Sequence, residues 1–127
     1  MIAVVTTDDG AFAVDLETAE LGAWQGELKP EPELVLNLPR LVAAASVGAT
    51  VLAVVDAKPP LLVSHDAGST WRQSGRGLPA GRAVAVAPDN PDLAVYAARN
   101  RLYVTRDGGV FWTALDVELP EIRGVSL

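Results

Sequence analysis

The sequence predicts an all-β protein assembled from repeated four-stranded units, and three observations predict it. Short runs of Val, Ala and Leu alternate with clusters of Gly, Pro, Asp and Asn along the 127 residues, the pattern of strands and turns. An octapeptide recurs: Ser64-His65-Asp66-Ala67-Gly68-Ser69-Thr70-Trp71 aligns position by position with Thr105-Arg106-Asp107-Gly108-Gly109-Val110-Phe111-Trp112, placing the two tryptophans 41 residues apart. A second marker keeps that period: Leu38-Pro39, Leu78-Pro79 and Leu119-Pro120, each followed by small apolar residues. A repeat of this length is a unit that cannot bury its apolar face alone and must stack on its neighbours.

A period of about 40 residues with four short strands has the size of one β-propeller blade. In the second unit the strands read Ala83 to Ala87, Leu93 to Tyr96, Leu102 to Thr105 and Phe111 to Leu115, with Asp89 to Asp92 as a turn. In the first they read Leu41 to Val47, Thr50 to Val55, Leu61 to Ser64 and Thr70 to Gln73. Gly48-Ala49 and Lys58-Pro59-Pro60 occupy its turns, since Pro-Pro cannot sit in a central strand. The innermost strand of a blade crowds the ring axis, and the alanines at 43 to 45 and the Ala/Val alternation from Ala83 to Ala87 suit that narrow space.

Outside these units, Ile2 to Thr6, Ala11 to Asp15 and Ala23 to Gln25 read as second, third and fourth strands of a blade without a first. Leu16 to Gly22 stands where the octapeptide would be. Leu119 to Leu127 carries the first-strand marker and supplies the missing piece. The single domain therefore divides into residues 1–37, 38–77, 78–118 and 119–127. Closed propellers typically have four to eight blades, so three need a partner. The expectation is a homodimer that closes a six-bladed ring, each C-terminal strand completing the N-terminal blade of the other chain. Folding and dimerisation would then be one event. The competing reading is a piece of a longer propeller.

The two octapeptides resemble the Asp-box, or BNR repeat, of sialidases, sortilin-type receptors and photosystem-assembly-factor propellers. The resemblance implies a hairpin between the third and fourth strands, with the aspartate capping the turn, glycine permitting a tight backbone, and the aromatic packing between blades. It marks Ser64, Asp66, Gly68, Thr70 and Trp71, with Thr105, Asp107, Gly109 and Trp112, as structural residues. Phe111 stands where the first copy has Thr70, so weaker capping is expected there. The residues suit these roles independently. Aspartates accept backbone N–H groups in turns, glycines take positive φ, and tryptophans offer a large apolar face. A carboxylate engaged in this way is not expected to be catalytic.

Composition narrows the function. Sixteen acidic against ten basic residues give a net charge of −6 and a field that repels nucleic acid and anionic lipid. No apolar run reaches membrane-spanning length, so neither nucleic acid nor membrane is expected as a partner. With no cysteine and one histidine, there is no basis for a disulfide, a thiolate site or a histidine cluster, and neither metal nor cofactor is expected. The first residues lack the features of a signal peptide, and the expected compartment is the cytoplasm.

The loops between second and third strands, and those between blades, should converge on one ring face. There Asp8, Asp9, Asp56, Lys58, Arg99 and Arg101 are the candidate ligand-face residues, with no catalytic residue assigned. The expected function is non-enzymatic binding or scaffolding. Its target would be a protein, or a small polar or anionic ligand held by paired copies of Lys58, Arg99 or Arg101. The alternative is a glycoside hydrolase or sialidase-like enzyme, which needs two placed carboxylates or a tyrosine nucleophile with arginines. Tyr96 and Tyr103 both fall within strands, where packing is the simpler role. Gln25 to Pro32 reads as an exposed connection or a partner-contacting flap beside Trp24.

Overall fold

The computed structural model describes residues 1–28 and 36–127. Its strands are β1 (Ile2–Thr7), β2 (Gly10–Asp15), β3 (Leu21–Ala23), β4 (Leu41–Val47), β5 (Thr50–Val55), β6 (Leu61–Ser64), β7 (Arg72–Ser74), β8 (Ala83–Ala87), β9 (Asn90–Ala97), β10 (Leu102–Thr105), β11 (Thr113–Ala114) and β12 (Ile122–Ser126). They form three four-stranded antiparallel sheets, and no helix occurs among the described residues. Blade 1 has the order β12-β1-β2-β3, blade 2 β4-β5-β6-β7, and blade 3 β8-β9-β10-β11. Part of the segment Gln25 to Pro32 lies outside the described residues.

Each blade follows from alternation. In β5 and β6, Leu52, Val54, Leu61 and Val63 point to one face and pack against Val84, Val86, Ala94 and Tyr96 of blade 3. On the other side of blade 3, Ala83, Ala85, Val95, Leu102 and Val104 pack against Ala3, Val5, Val14, Ile122 and Val125 of blade 1. Blade 3 is therefore the middle of an arc running blade 2, blade 3, blade 1, with two apolar cores between the sheets. A fully buried Val, Leu or Ile contributes about 1.5–3 kcal/mol, and Val5, Val14, Val54, Leu61, Val95, Leu102 and Ile122 are all buried to that degree. The small first strands β4, β8 and β12 lie side by side, with β8 flanked by the other two, which places the alanine runs where crowding is greatest.

The C-terminal strand, expected to pass to a partner, lies in its own chain. β12 pairs with β1 of its own chain, Val4 opposite Ser126 and Val5 opposite Val125, and so completes blade 1 in cis. The three connections between blades differ in length. Residues 24–40 separate β3 from β4, against 75–82 between β7 and β8 and 115–121 between β11 and β12.

The fourth strands of blades 2 and 3 start later than alternation suggests. β7 begins at Arg72 instead of Thr70, and β11 at Thr113 instead of Phe111, because Thr70 and Phe111 give their N–H groups to aspartates in the preceding turn. In blade 1 the fourth strand starts earlier than expected and ends sooner, running Leu21–Ala23 instead of onward from Ala23, although Trp24 N–H still donates to Ala11 O (3.0 Å). β9 begins at Asn90 instead of Leu93. A bulge opposes Val86 to Ala94 and Ala87 to Asn90, and that irregularity tolerates Pro91 in the strand.

Candidate functional site

The two aspartate turns share one hydrogen-bond plan. The Ser64 hydroxyl donates to Asp66 Oδ1 (2.7 Å) and accepts Gly68 N–H (2.8 Å); the Thr105 hydroxyl donates to Asp107 Oδ1 (2.7 Å) and accepts Gly109 N–H (3.0 Å). Asp66 then accepts the Thr70 N–H (2.8 Å) and, through Oδ2, the Thr70 hydroxyl (2.6 Å). Asp107 accepts the Phe111 N–H (3.0 Å), and with Phe at that position no hydroxyl is present to reach its second oxygen. The Thr70 hydroxyl and N–H, with the Ser64 hydroxyl, hold the Asp66 carboxyl down at about 2. The Phe111 N–H and the Thr105 hydroxyl lower Asp107. Gly68 and Gly109 both have φ of +92°, a conformation that side-chain-bearing residues rarely adopt. Blade 1, which lacks the octapeptide, makes its turn with Asp15, whose Oδ1 accepts Glu17 N–H (2.8 Å) and Thr18 N–H (3.2 Å).

The turns differ in what lies beside them. In blade 3, Gly108 and Gly109 are buried against β7 of blade 2. Arg72 Nη2 donates to Gly108 O (3.4 Å), the Ser74 hydroxyl donates to Gly109 O, and Trp112 Nε1 donates to Ser74 Oγ (3.0 Å). Trp112 also meets the Tyr96 ring edge-on at 6.1 Å. Trp71, its counterpart in blade 2, is half-buried and lies on the flank away from blade 3, and Ala67 beside it is exposed.

The opposite face gathers the loops named from the sequence, in two groups. At the junction of blades 3 and 1, Asp8 Oδ1 accepts from Arg123 Nε (2.6 Å). Glu121 pairs with Arg82 (2.9 Å) and Arg99 (3.5 Å), and Glu118 pairs with Arg101 (3.3 Å). The Arg123 guanidinium beside Asp8 lowers its carboxyl. Arg99 and Arg101, expected as free cations for a ligand, thus face glutamates from the segment leading to β12. Asp9 is exposed in the same turn, with its N–H donated to Thr7 Oγ1 (3.1 Å).

Asp56 and Lys58 lie at the other junction. They line a cavity of about 610 Å³ between the turn after β5 and the loop Gly77 to Ala80 that leads to β8. Asp8 and Asp56 therefore belong to the two end blades, with blade 3 between them. Tyr96 is fully buried and its hydroxyl donates to Pro79 O (2.6 Å); Tyr103 packs on it with ring centroids 6.1 Å apart. The contributions of Arg82, Glu118, Glu121 and Arg123 escape sequence reasoning. Their one signal is position, because they lie within four residues of a Leu-Pro marker.

Four-stranded blades stacked in an arc with their first strands innermost define a β-propeller fold. No family model matches the sequence, and no curated protein matches it. Among solved structures, the chain is similar to one described as YCF48 bound to D1 peptide, with a TM-score of 0.55 and 23% identity. The match covers 88% of this chain and 37% of that one, so the chain spans little more than a third of its neighbour's length.

Proposed function

We propose that the chain is half of a propeller: two copies, each with blade 1 completed in cis, close a six-bladed ring that serves as a non-enzymatic binding scaffold in the cytoplasm. The aspartate turns are read as Asp-boxes that rivet each blade to the one before it. The observation that carries the proposal is their unequal surroundings. The turn of blade 3 is docked on blade 2, whereas the turn of blade 2, with Trp71, meets no preceding blade among the described residues. A second copy supplies one. Val42 on blade 2 and Ile2 on blade 1, 49% and 44% exposed, lie on these unmatched flanks. Two-fold pairing brings blade 1 of one copy against blade 2 of the other at both seams.

The ring face then presents loops of mixed charge to a protein partner or a small polar, anionic ligand. The peptide complex of the structural neighbour supports a protein partner. Against the glycoside-hydrolase alternative stand the burial of Tyr96 and the engagement of Asp8 by Arg123. A screen with fluorogenic glycosides and sialosides, run beside a thermal-shift panel of anionic metabolites and capture of protein partners, tests this reading. Ligand or partner binding without turnover is expected. Turnover abolished by mutating Asp8, Asp9 or Asp56 would overturn it.

A further inference from the structure

The two junctions inside the chain are built from the same parts and end differently. Between blades 3 and 1, the turn Ala98 to Arg101 is sealed by the segment after β11. Leu119 N–H donates to Asn100 O (3.0 Å) and Ile122 N–H to Arg99 O (2.7 Å), while Glu118 and Glu121 reach Arg101 and Arg99. Between blades 2 and 3 the corresponding loop turns back on itself. Leu78 N–H donates to Gly75 O (3.0 Å), and Gly75 and Gly77 hold φ of 77° and 88°, backbone open to glycine at little cost. The loop therefore stops short of the turn Asp56 to Pro60, and the 610 Å³ cavity stays open between them. Asp56 and Lys58 enter no ion pair among the described residues.

The sealed junction displays the chemistry that the open one lacks. Its seal, Asp116 to Ile122, brings backbone N–H donors for the turn's carbonyls and carboxylates for the turn's cations, beyond the Leu-Pro pair that both loops carry. We infer that the groove between blades 2 and 3 is a docking site for an extended, carboxylate-bearing peptide segment of a partner protein. Its carboxylate pairs with Lys58, and its apolar residues lie against Pro60, Leu78 and Pro79. The cavity has the size of an ordinary ligand pocket, which admits a short segment but not a folded domain. The inference rests on the binding reading above, though not on ring closure, because both walls of the groove belong to one chain.

The probe is the chain's own sealing sequence as a free peptide, acetyl-Asp-Val-Glu-Leu-Pro-Glu-amide, titrated into isotope-labelled protein while the backbone amide resonances are followed. Saturable shifts centred on Ala57, Lys58, Gly77 and Ala80 are expected. Lys58→Gln should weaken binding about fivefold, the upper worth of one exposed ion pair, with molar mass and melting temperature unchanged. The amide form of the peptide, Asn-Val-Gln-Leu-Pro-Gln, should bind the wild type more weakly to a similar degree. Shifts confined to the junction of blades 3 and 1, no shifts at millimolar peptide, or affinity indifferent to both changes would overturn the site. Saturable binding elsewhere on the ring face would remove the groove and leave the binding reading in place.

Discussion

Replacing Tyr96 with Phe deletes one hydroxyl from the core between blades 2 and 3. That hydroxyl donates to Pro79 O at 2.6 Å from a fully buried ring, which also packs against Tyr103 and Trp112. Burial, with Tyr103 beside it, pushes the phenol far above its ordinary value, so it remains a donor across any practical pH range. Losing the bond costs about 1 kcal/mol net, and up to about 3 kcal/mol if no water reaches the orphaned carbonyl. For a chain of this length the entropy of unfolding converts 1 kcal/mol into roughly 4 °C. Tyr103→Phe is the internal control, since Tyr103 is half-buried and its hydroxyl makes no hydrogen bond among the described residues. Scanning calorimetry at one fixed protein concentration should show Tyr96→Phe melting several degrees below the wild type and Tyr103→Phe close to it. Concentration must be fixed because association contributes to the melting temperature of a dimer. Equal melting temperatures for the two variants would refute the packing described for the blade 2–blade 3 core.

Three further outcomes follow from the aspartate turns. Asp66 and Asp107 titrate below their unfolded values, so the stability they contribute is present above about pH 4 and is lost as pH falls through their folded values; the melting temperature should drop between pH 4 and 2, less steeply in Asp66→Asn. Gly109→Ala places a Cβ 3.2 Å from Val63 Cγ2 at φ +92° and should cost about 1–3 kcal/mol in denaturant unfolding, well above Gly22→Ala, whose φ is not positive and whose Cβ meets nothing within 4 Å. Phe111→Thr restores the missing hydroxyl to Asp107 and removes a side chain 73% exposed, so a higher melting temperature and less aggregation are expected.

Blade count and strand order were legible because two markers repeat with one period and because turn residues punctuate nearly every strand. Ala83 to Ala87 and Leu102 to Thr105 stand where alternation places them. Strand starts in β7 and β11 were less legible, since Thr70 and Phe111 could serve either the ladder or the turn, and only the aspartate geometry decides. The pairing of β12 with β1 joins the two ends of the chain, and strand patterns alone do not say whether such a partner strand comes from the same chain or another. On the candidate face, Arg99 and Lys58 look alike as exposed cations in turns. They differ because Glu121 comes to Arg99 from beyond β11, while the Gly75–Gly77 turn holds its own loop away from Lys58. That contrast lies in tertiary packing, which is why the arginines were read as ligand groups and the groove was not read at all.

Ring closure by a second copy is tested most directly by the molar mass of the purified protein in solution, measured by light scattering after size exclusion. The account predicts a mass near twice 13.3 kDa; a well-folded, cooperatively melting species at 13.3 kDa, unchanged at high protein concentration, would contradict it.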